Sequence, residues 1–254
     1  MRSENATART YGEWQGAFNF FNQALFDNKL PNTLISYQRI KKSFGYFSPE
    51  RYVALDKETF VDEIAMNPTY FVNRTLEDIL STLVHEMCHQ WQYRYGKKKS
   101  LKAYHNKEFA LKMESIGLIT SDTGQPGGKR VGQKMSHYIQ ADTPFTDAAR
   151  YLIQEKGWRI SFADAYIESG TAEKIKTPLI DGVDSSLSGF ELGSIKEIPP
   201  KKNKSNREKY TCACDTNVWG KKGLVIFCGI CKMQFKANEQ DKTTEKKEEI
   251  ENER

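Results

Sequence analysis

Two histidines four residues apart, with a glutamate after the first, stand in the segment LVHEMCHQWQ (residues 83–92). In a helix, positions i and i+4 lie on one face, so His85 and His89 can present ring nitrogens to one metal ion. Glu86 projects beside them, where it can take a proton from metal-bound water. Zinc suits this chemistry because it lowers the pKa of its bound water to about 7. This HExxH spacing therefore predicts a hydrolytic zinc site, against the alternative of a chance spacing in an ordinary helix.

A catalytic zinc ion needs a third protein ligand and one open coordination position. His105 stands at the start of the next predicted helix, so a helix hairpin would return it toward His85 and His89. We expect His105 to be the third ligand. Glu108 is the alternative, because carboxylates also bind zinc. It could instead support the ligands without touching the metal.

A fourth histidine, His137, follows in the segment GQKMSHYI, and all four histidines of the chain lie between residues 85 and 137. A histidine beside a zinc site can stabilise the oxyanion of the reaction or grip the substrate, and Tyr138 is the alternative group for that role. Equally, His137 can be a core-edge residue that only packs. Cys88 lies inside the metal motif, where its neighbours predict a small buried side chain.

Four of the five cysteines lie between residues 212 and 231, which is typical of a metal site in a reducing cytoplasm and not of a disulfide framework. Cys212 and Cys214 form one pair, and Cys228 and Cys231 form the second. Two such pairs can close a tetrahedral zinc site, which stabilises a module too small for a core of its own. We therefore predict a cytoplasmic protein with two Zn²⁺ ions, one catalytic and one structural.

Hydrophobic spacing predicts the elements that must position these residues. Thr75, with Asp78 three residues later, resembles a capping box, and Gly96 is a candidate C-terminal cap. Between them, an apolar stripe with a period of about 3.6 residues predicts the helix that carries the metal motif. The stripe consists of Leu76, Ile79, Leu80, Leu83, Met87 and Trp91. A second helix is expected from about His105 to Ile116.

Upstream, an aromatic-rich helix comes before three short strands. The helix is predicted from the spacing of Trp14, Phe18, Phe21, Leu25 and Phe26. Three strands are predicted in TLISYQRI, FGYFSPERYVAL and DEIAMNPTYF, and KMSHYIQ further along is a fourth candidate. This order of elements indicates the α+β class, with helices packed on a small β-sheet.

Composition limits the organisation of the chain. A length of 254 residues allows one sizeable core and a small extra module. The first ten residues lack the apolar stretch of a secretory signal, and no apolar run is long enough to cross a bilayer, so we expect no membrane partner. We predict a first domain over residues 1–160, an extension with a basic linker over 161–208, a zinc module over 209–236 and a disordered polar tail over 237–254.

The segment from about Tyr11 to Phe145 contains motifs that together resemble one family. They are FNFFNQALFDNKLP, GYFSPERY, EIAMNP, TLEDILSTLVHEMCHQWQ, YHNKEFALKMESIGL and GQKMSHYI. HEMCH alone is shared by many zinc proteases, whereas its combination with YHNKEFA is far more specific. The chain thus resembles the SprT-like zinc metalloprotease family, and GQKMSHYI looks like the form in bacterial, plasmid and phage members. The resemblance implies that His105 is the third zinc ligand.

The resemblance also implies a zincin-like metalloprotease core followed by a small zinc ribbon with four cysteine ligands. It implies that protein substrates are hydrolysed with Glu86 as general base on zinc-bound water. For the family it further implies a role near DNA, in DNA–protein crosslink repair or transcription elongation. Ribbons of the family usually begin with C-x-x-C, whereas this chain has C-x-C, which puts the ligand geometry of Cys212 in question.

DNA, single-stranded or duplex, is a candidate partner of the cysteine module. Lys221, Lys222, Trp219 and the linker from Lys201 to Lys209 supply positive charge and one stacking ring, which together favour sequence-tolerant contact with nucleic acid. The alternative is a solvated linker beside a structural zinc. A second function class therefore stays open, that of a nucleic-acid- or transcription-associated zinc-binding protein with weak or no protease activity.

Overall fold

The chain forms two compact units, Met1–Pro199 and Pro200–Arg254. The computed structural model describes residues 5–72, 74–98, 104–168, 196–198 and 207–237. Most of the predicted basic linker and the predicted polar tail beyond residue 237 lie outside these described residues. Among the described helices, none is both long enough and apolar enough to span a membrane.

The first unit combines helices with small sheets, so the predicted α+β class is confirmed. Its described α-helices are α1 (Ala6–Phe26), α2 (Leu76–Tyr95), α3 (Lys107–Ile116) and α4 (Pro144–Arg150), with a 3-10 turn at Pro68–Tyr70 and a π-helical turn at Tyr151–Glu155. Its described strands are β1 (Thr33–Tyr37), β2 (Gly45–Val53), β3 (Phe60–Met66), β4 (Tyr104–His105), β5 (Leu118–Ser121), β6 (Gly132–Gln133), β7 (Ser136–Ile139), β8 (Tyr166–Glu168) and β9 (Lys196–Ile198). The predicted helices and strands are present, except that α3 begins at Lys107 and that His105, expected at the start of this helix, lies in β4 because that strand pairs with β6. Helix α4 and the strands β4, β5, β6, β8 and β9 are additional.

A three-stranded sheet and α2 form the frame of the candidate site. The strand order is β1-β3-β2, with β1 parallel and β2 antiparallel to β3. Helix α2 begins as predicted, because the Thr75 side chain accepts a hydrogen bond from the backbone N–H of Asp78 (3.1 Å). Its stripe from Leu76 to Met87 is buried. Each such side chain contributes roughly 1.5–3 kcal/mol by leaving water, so core packing holds the helix that carries the metal motif.

Gly96 is the C-cap of α2, but for a different reason from the one its sequence suggests. Its backbone is extended, with φ −67° and ψ 143°, and not left-handed. A Cβ atom at this position would lie 2.5 Å from the carbonyl oxygen of Gln92 and 3.0 Å from Oε2 of Glu108. The carbonyl of Gln92, one turn earlier in α2, therefore excludes a side chain at Gly96, and the Glu108 side chain narrows the space further.

Helix α1 buries the aromatic side chains that its spacing predicts, and the indole N–H of Trp14 donates to the hydroxyl of Tyr37 (2.8 Å). The chain after α4 returns to this helix. There, Trp158 Nε1 donates to the carbonyl of Glu13 (2.8 Å), and the backbone N–H of Ser161 donates to the Glu13 carboxylate (3.0 Å). The packed part of the first unit therefore continues past residue 160.

A buried carboxylate, Asp62, links the sheet to the C-terminal half of α2. It accepts hydrogen bonds from Arg94 Nη2 (2.7 Å) and from Gln90 Nε2 (2.9 Å), both on α2. It also accepts from the backbone N–H of Glu50 (2.8 Å), where strand β2 is irregular and φ is 48°. One side chain therefore fixes the orientation of the metal-motif helix relative to strand β2.

We expect Asp62→Ala to lower the free energy of unfolding by about 3 kcal/mol, because it leaves the Arg94 cation without its buried partner. This value is at the low end for a broken buried pair, since the Arg94 side chain is 28% exposed and water replaces part of the interaction. The measurement is urea unfolding followed by helical circular dichroism. As a control, Glu114→Ala removes an ion pair with Arg130 in which both side chains are 43% exposed. It should cost at most about 1 kcal/mol. If both variants lose the same free energy of unfolding, Asp62 does not stabilise the fold as a buried partner of Arg94.

The second unit is a small sheet closed by two cysteine-bearing turns. Its strands are β10 (Arg207–Thr211), β11 (Asn217–Lys221) and β12 (Lys236–Ala237), in the order β11-β10-β12, with both pairs antiparallel. The buried cluster of this unit contains two cysteines and two aromatic residues, namely Tyr210, Cys212, Cys228 and Phe235. A core of this size is too small to hold a fold alone, which is why a metal cross-link would matter here.

Candidate metal centres

Three histidine side chains from two separate elements converge in the first unit. His85 and His89 lie on one face of α2, and His105 ends the short strand β4. Nε2 of His105 lies 3.1 Å from Nε2 of His85 and 3.1 Å from Nε2 of His89. Strand β4 is held by pairing with β6, in which His105 lies opposite Gly132. Strand β6 thus helps to place His105.

The donor set of these three histidines fits a zinc ion. Burial lowers the pKa of His85 and lowers that of His89 to about 3, so these two rings are neutral, which is the form that binds metal. A neutral ring carries only one N–H, so hydrogen bonds cannot satisfy three Nε2 atoms this close together, whereas one cation accepts all three lone pairs. Among the described residues, Nδ1 of His85 has no hydrogen-bond partner.

An aromatic side chain supports the three imidazoles. Phe109 on α3 is fully buried, and its ring centroid lies 4.2 Å from that of His89, 4.8 Å from that of His105 and 5.1 Å from that of His85. Phe109 thus contacts every imidazole ring of the cluster. Because the ring fills the space behind the imidazoles, it restricts their rotation.

Glu86 is only 6% exposed and contacts the edge strand β2. Its carboxylate accepts a hydrogen bond from the backbone N–H of Phe47, and burial raises its pKa to about 8. A bound divalent cation acts in the opposite direction, because it favours the ionised carboxylate. A Cβ atom on Gly45 would lie 2.7 Å from the carbonyl of Ala65 and 3.6 Å from Cγ of Glu86. Sequence reasoning missed Phe47 and Gly45, although a glycine opening a strand is a signal of close approach.

Glu108 lies near the site without belonging to the histidine cluster. Its Oε1 accepts from the backbone N–H of Lys97 (2.8 Å) and its Oε2 from that of Lys98 (3.0 Å). The cluster of ligand atoms contains His85, His89 and His105. Of the two alternatives that the sequence leaves for the third position, the geometry therefore favours His105.

His137 stacks beside the cluster but directs one nitrogen elsewhere. Its ring lies 5.1 Å from that of His85 at an interplanar angle of 23°, and its Nε2 lies 2.8 Å from Oγ of Ser81. A catalytic role for this nitrogen would require the contact with Ser81 to break. Tyr138 is the next residue of strand β7, so its side chain projects from the opposite face of the strand. Catalytic roles for His137 and Tyr138 remain predictions.

The four clustered cysteines come together in the second unit. Their sulfur atoms all lie within 4.8 Å of one another, although the first pair is the short C-x-C form. Each turn ends at a residue with positive φ, Asp215 in the first and Lys232 in the second. The contact between Cys212 and Cys214 lowers the pKa of Cys212 and raises that of Cys214, because one thiol donates to the other sulfur. Cys88 is buried and lies outside the cluster, as predicted.

One face of the second unit is basic and carries an exposed tryptophan. Pairing of β10 with β11 sets Arg207 opposite Lys221 and Lys209 opposite Trp219, and pairing with β12 sets Thr211 opposite Lys236. Directly opposed residues and residues two apart on a strand share a face, so these side chains lie together. Trp219 is 66% exposed. We call this surface, made of Arg207, Lys209, Thr211, Asn217, Trp219, Lys221 and Lys236, the basic face; none of its described residues is acidic.

The fold and the two clusters define an α+β protein with two candidate metal centres. The SprT-like family model matches residues 14–137, which include the histidine cluster and Glu86. An uncharacterized protein in the mucB 3' region of Salmonella typhimurium is 48% identical over 58 residues, which are 23% of this chain and 78% of that relative. No solved structure matches the chain. The chain belongs to the SprT-like family, which has a zincin-like fold and is associated with metallopeptidase activity.

Proposed function

We propose that this chain is a zinc-dependent metallopeptidase that binds zinc through His85, His89 and His105 and uses Glu86 as its general base. The observation that carries the proposal is the convergence of three imidazole nitrogens beside a buried carboxylate. This arrangement provides three protein ligands and one carboxylate that is not a ligand, which is the composition of a catalytic zinc site. Family membership supports the same activity.

The proposed reaction is hydrolysis of a peptide bond. A bound zinc ion supplies Lewis acidity and a water whose pKa is lowered to about 7. Glu86 takes a proton from the attacking water, whose oxygen bonds to the carbonyl carbon, and passes that proton to the departing amine nitrogen as the C–N bond breaks. The N–H of Phe47 orients the Glu86 carboxylate for both transfers. The test is whether Glu86→Gln abolishes cleavage of an unfolded protein substrate.

We also propose that the second unit binds single-stranded nucleic acid through the basic face, so that the peptidase acts on nucleic-acid-associated proteins. Two properties of the face support this. Four cations, Arg207, Lys209, Lys221 and Lys236, can follow a phosphate backbone, and Trp219 offers an exposed ring on which a base can stack. Binding of nucleic acid is also what the second function class requires, that of a nucleic-acid-associated zinc-binding protein, whether or not the chain cleaves peptide bonds.

We expect Trp219→Ala to weaken binding of single-stranded DNA by about 1–3 kcal/mol, or roughly 5–150-fold in Kd. The control is Phe227→Ala, because Phe227 is equally exposed (65%) but lies outside the basic face, so its loss should leave the Kd unchanged. Lys221→Ala should reduce the slope of log Kd against log salt by about 0.7, as one phosphate contact is lost. Fluorescence anisotropy at several salt concentrations measures both effects. Equal losses in the two aromatic variants, or no binding by the wild type, would refute the proposal.

A further inference from the structure

Two polar residues that follow His105, Asn106 and Glu108, hydrogen-bond to the end of α2 and to the chain that follows it. We call these two side chains and their hydrogen bonds the bracket. Asn106 is the N-cap of α3, and its Oδ1 accepts from the backbone N–H of Phe109 (3.0 Å). The same oxygen accepts from Nε2 of Gln92 on α2 (2.7 Å). Its Nδ2 donates to the carbonyl of Lys98 (3.1 Å). One amide thus joins α3, α2 and the connection that leaves α2.

Glu108, in the first turn of α3, is the second residue of the bracket. Its two carboxylate oxygens accept from the backbone N–H groups of Lys97 and Lys98. The end of α2 approaches it so closely that a Cβ on Gly96 would lie 3.0 Å from Oε2. Asn106 and Glu108 together therefore satisfy three peptide groups of residues 97–98 and tie them to the start of α3.

The bracket lies directly beside the third histidine of the cluster. His105 belongs to neither helix and stands on a strand of two residues, whose one described pairing is with β6. Its backbone is covalently continuous with Asn106, so anything that locks Asn106 against α2 also fixes where the His105 ring can point. His85 and His89 need no such device, because α2 itself sets their separation.

We infer that Asn106 and Glu108 are positioning residues, which hold His105 in register with His85 and His89 and thereby set the metal affinity of the site. The inference rests on the proposed zinc site. Neither residue belongs to the cluster of ligand atoms, which consists of His85, His89 and His105, so their proposed contribution is not ligation. Their effect is preorganisation, since a flexible third ligand would have to be ordered each time the metal binds.

The test is cobalt(II) titration of the full chain, with the metal-depleted protein checked by circular dichroism and thermal unfolding. Cobalt bound by thiolates gives strong near-ultraviolet charge-transfer absorption that histidine ligation lacks. This absorption reports the occupancy of the cysteine centre, so its contribution to the visible bands can be subtracted to leave those of the histidine site. Asn106→Ala should weaken binding at the histidine site about 10–100-fold. Glu108→Gln, which replaces one of the two acceptor oxygens by an amide group, should weaken it in the same direction.

Two further variants separate positioning from helix stability. Asn5→Ala removes an N-cap of the same kind from α1, where the Asn5 side chain accepts from the N–H of Thr7 (2.9 Å), and should leave cobalt affinity unchanged. Asn106→Asp keeps the cap oxygen but loses the donor to Lys98, so metal-free stability should be retained while affinity still falls several-fold. If Asn106→Ala and Asn106→Asp both bind cobalt with wild-type affinity, the inference about positioning is overturned while the proposed zinc site stands. Absence of the histidine-type bands in the wild type would instead overturn the proposed zinc site.

Discussion

Glu86→Gln should lower the rate of peptide cleavage by at least about 10²–10⁴-fold while zinc content stays at the wild-type level. The amide has nearly the same shape as the carboxylate and keeps an oxygen for the N–H of Phe47, so the local structure should survive. It cannot accept a proton from water, however, and Glu86 is not among the clustered ligand atoms. Initial rates on an unfolded protein substrate and zinc analysis of the same samples measure the two quantities.

A matched control comes from the same helix. Glu77 is also a buried glutamate on α2, 1% exposed, and burial raises its pKa as it does that of Glu86. Glu77 lies in the first turn of the helix, away from the histidines, so Glu77→Gln should leave the cleavage rate unchanged. Full activity in Glu86→Gln would refute the peptidase mechanism. If DNA-dependent phenotypes of the protein are unaltered in Glu86→Gln, this would favour the second function class, a nucleic-acid- or transcription-associated zinc-binding protein with weak or no protease activity.

His105→Ala and Cys228→Ser should each reduce bound zinc from about two ions to about one per chain. The two variants act on different centres, since the histidine and cysteine clusters belong to separate compact units. His105→Ala leaves two ligands on α2, too few to hold zinc against a chelator. Cys228→Ser removes a ligand that is also part of the small core of the second unit, so that unit should unfold as it loses its metal.

Residues of the same type outside the clusters provide the controls for zinc content. Cys88→Ala changes a buried cysteine of the first unit, and His137→Ala changes the histidine that stacks on His85, yet both variants should retain about two zinc ions. The measurement is atomic emission after exhaustive dialysis. Undiminished zinc in His105→Ala would move the third ligand toward Glu108, and loss of zinc in His137→Ala would make His137 a ligand.

Local signals in the sequence account for much of the candidate site. The Thr75 cap and the apolar stripe after it predict α2, because capping and amphipathic spacing act within a few residues of the chain. The spacing of His85 and His89 then follows from helix geometry alone. The cysteine pairs can also be recognised from local sequence, because each pair lies in one turn and the two turns are close together in the chain. The α+β class also follows from the order of the elements.

The remaining decisions depend on contacts between residues distant in sequence. The sequence favoured His105 over Glu108, but which of the two reaches the pair depends on the pairing of β4 with β6 and on the Lys97 and Lys98 amides that occupy Glu108. The parallel pairing of β1 with β3, the N–H of Phe47 on Glu86 and the return of Trp158 to α1 likewise join separate segments. The sequence alone thus determined the helix, the histidine pair and the cysteine pairs, because short-range geometry suffices for them. Only the tertiary structure decided which third side chain reaches the pair and what contacts Glu86, because those depend on the packing of α2 against β2, β4 and α3.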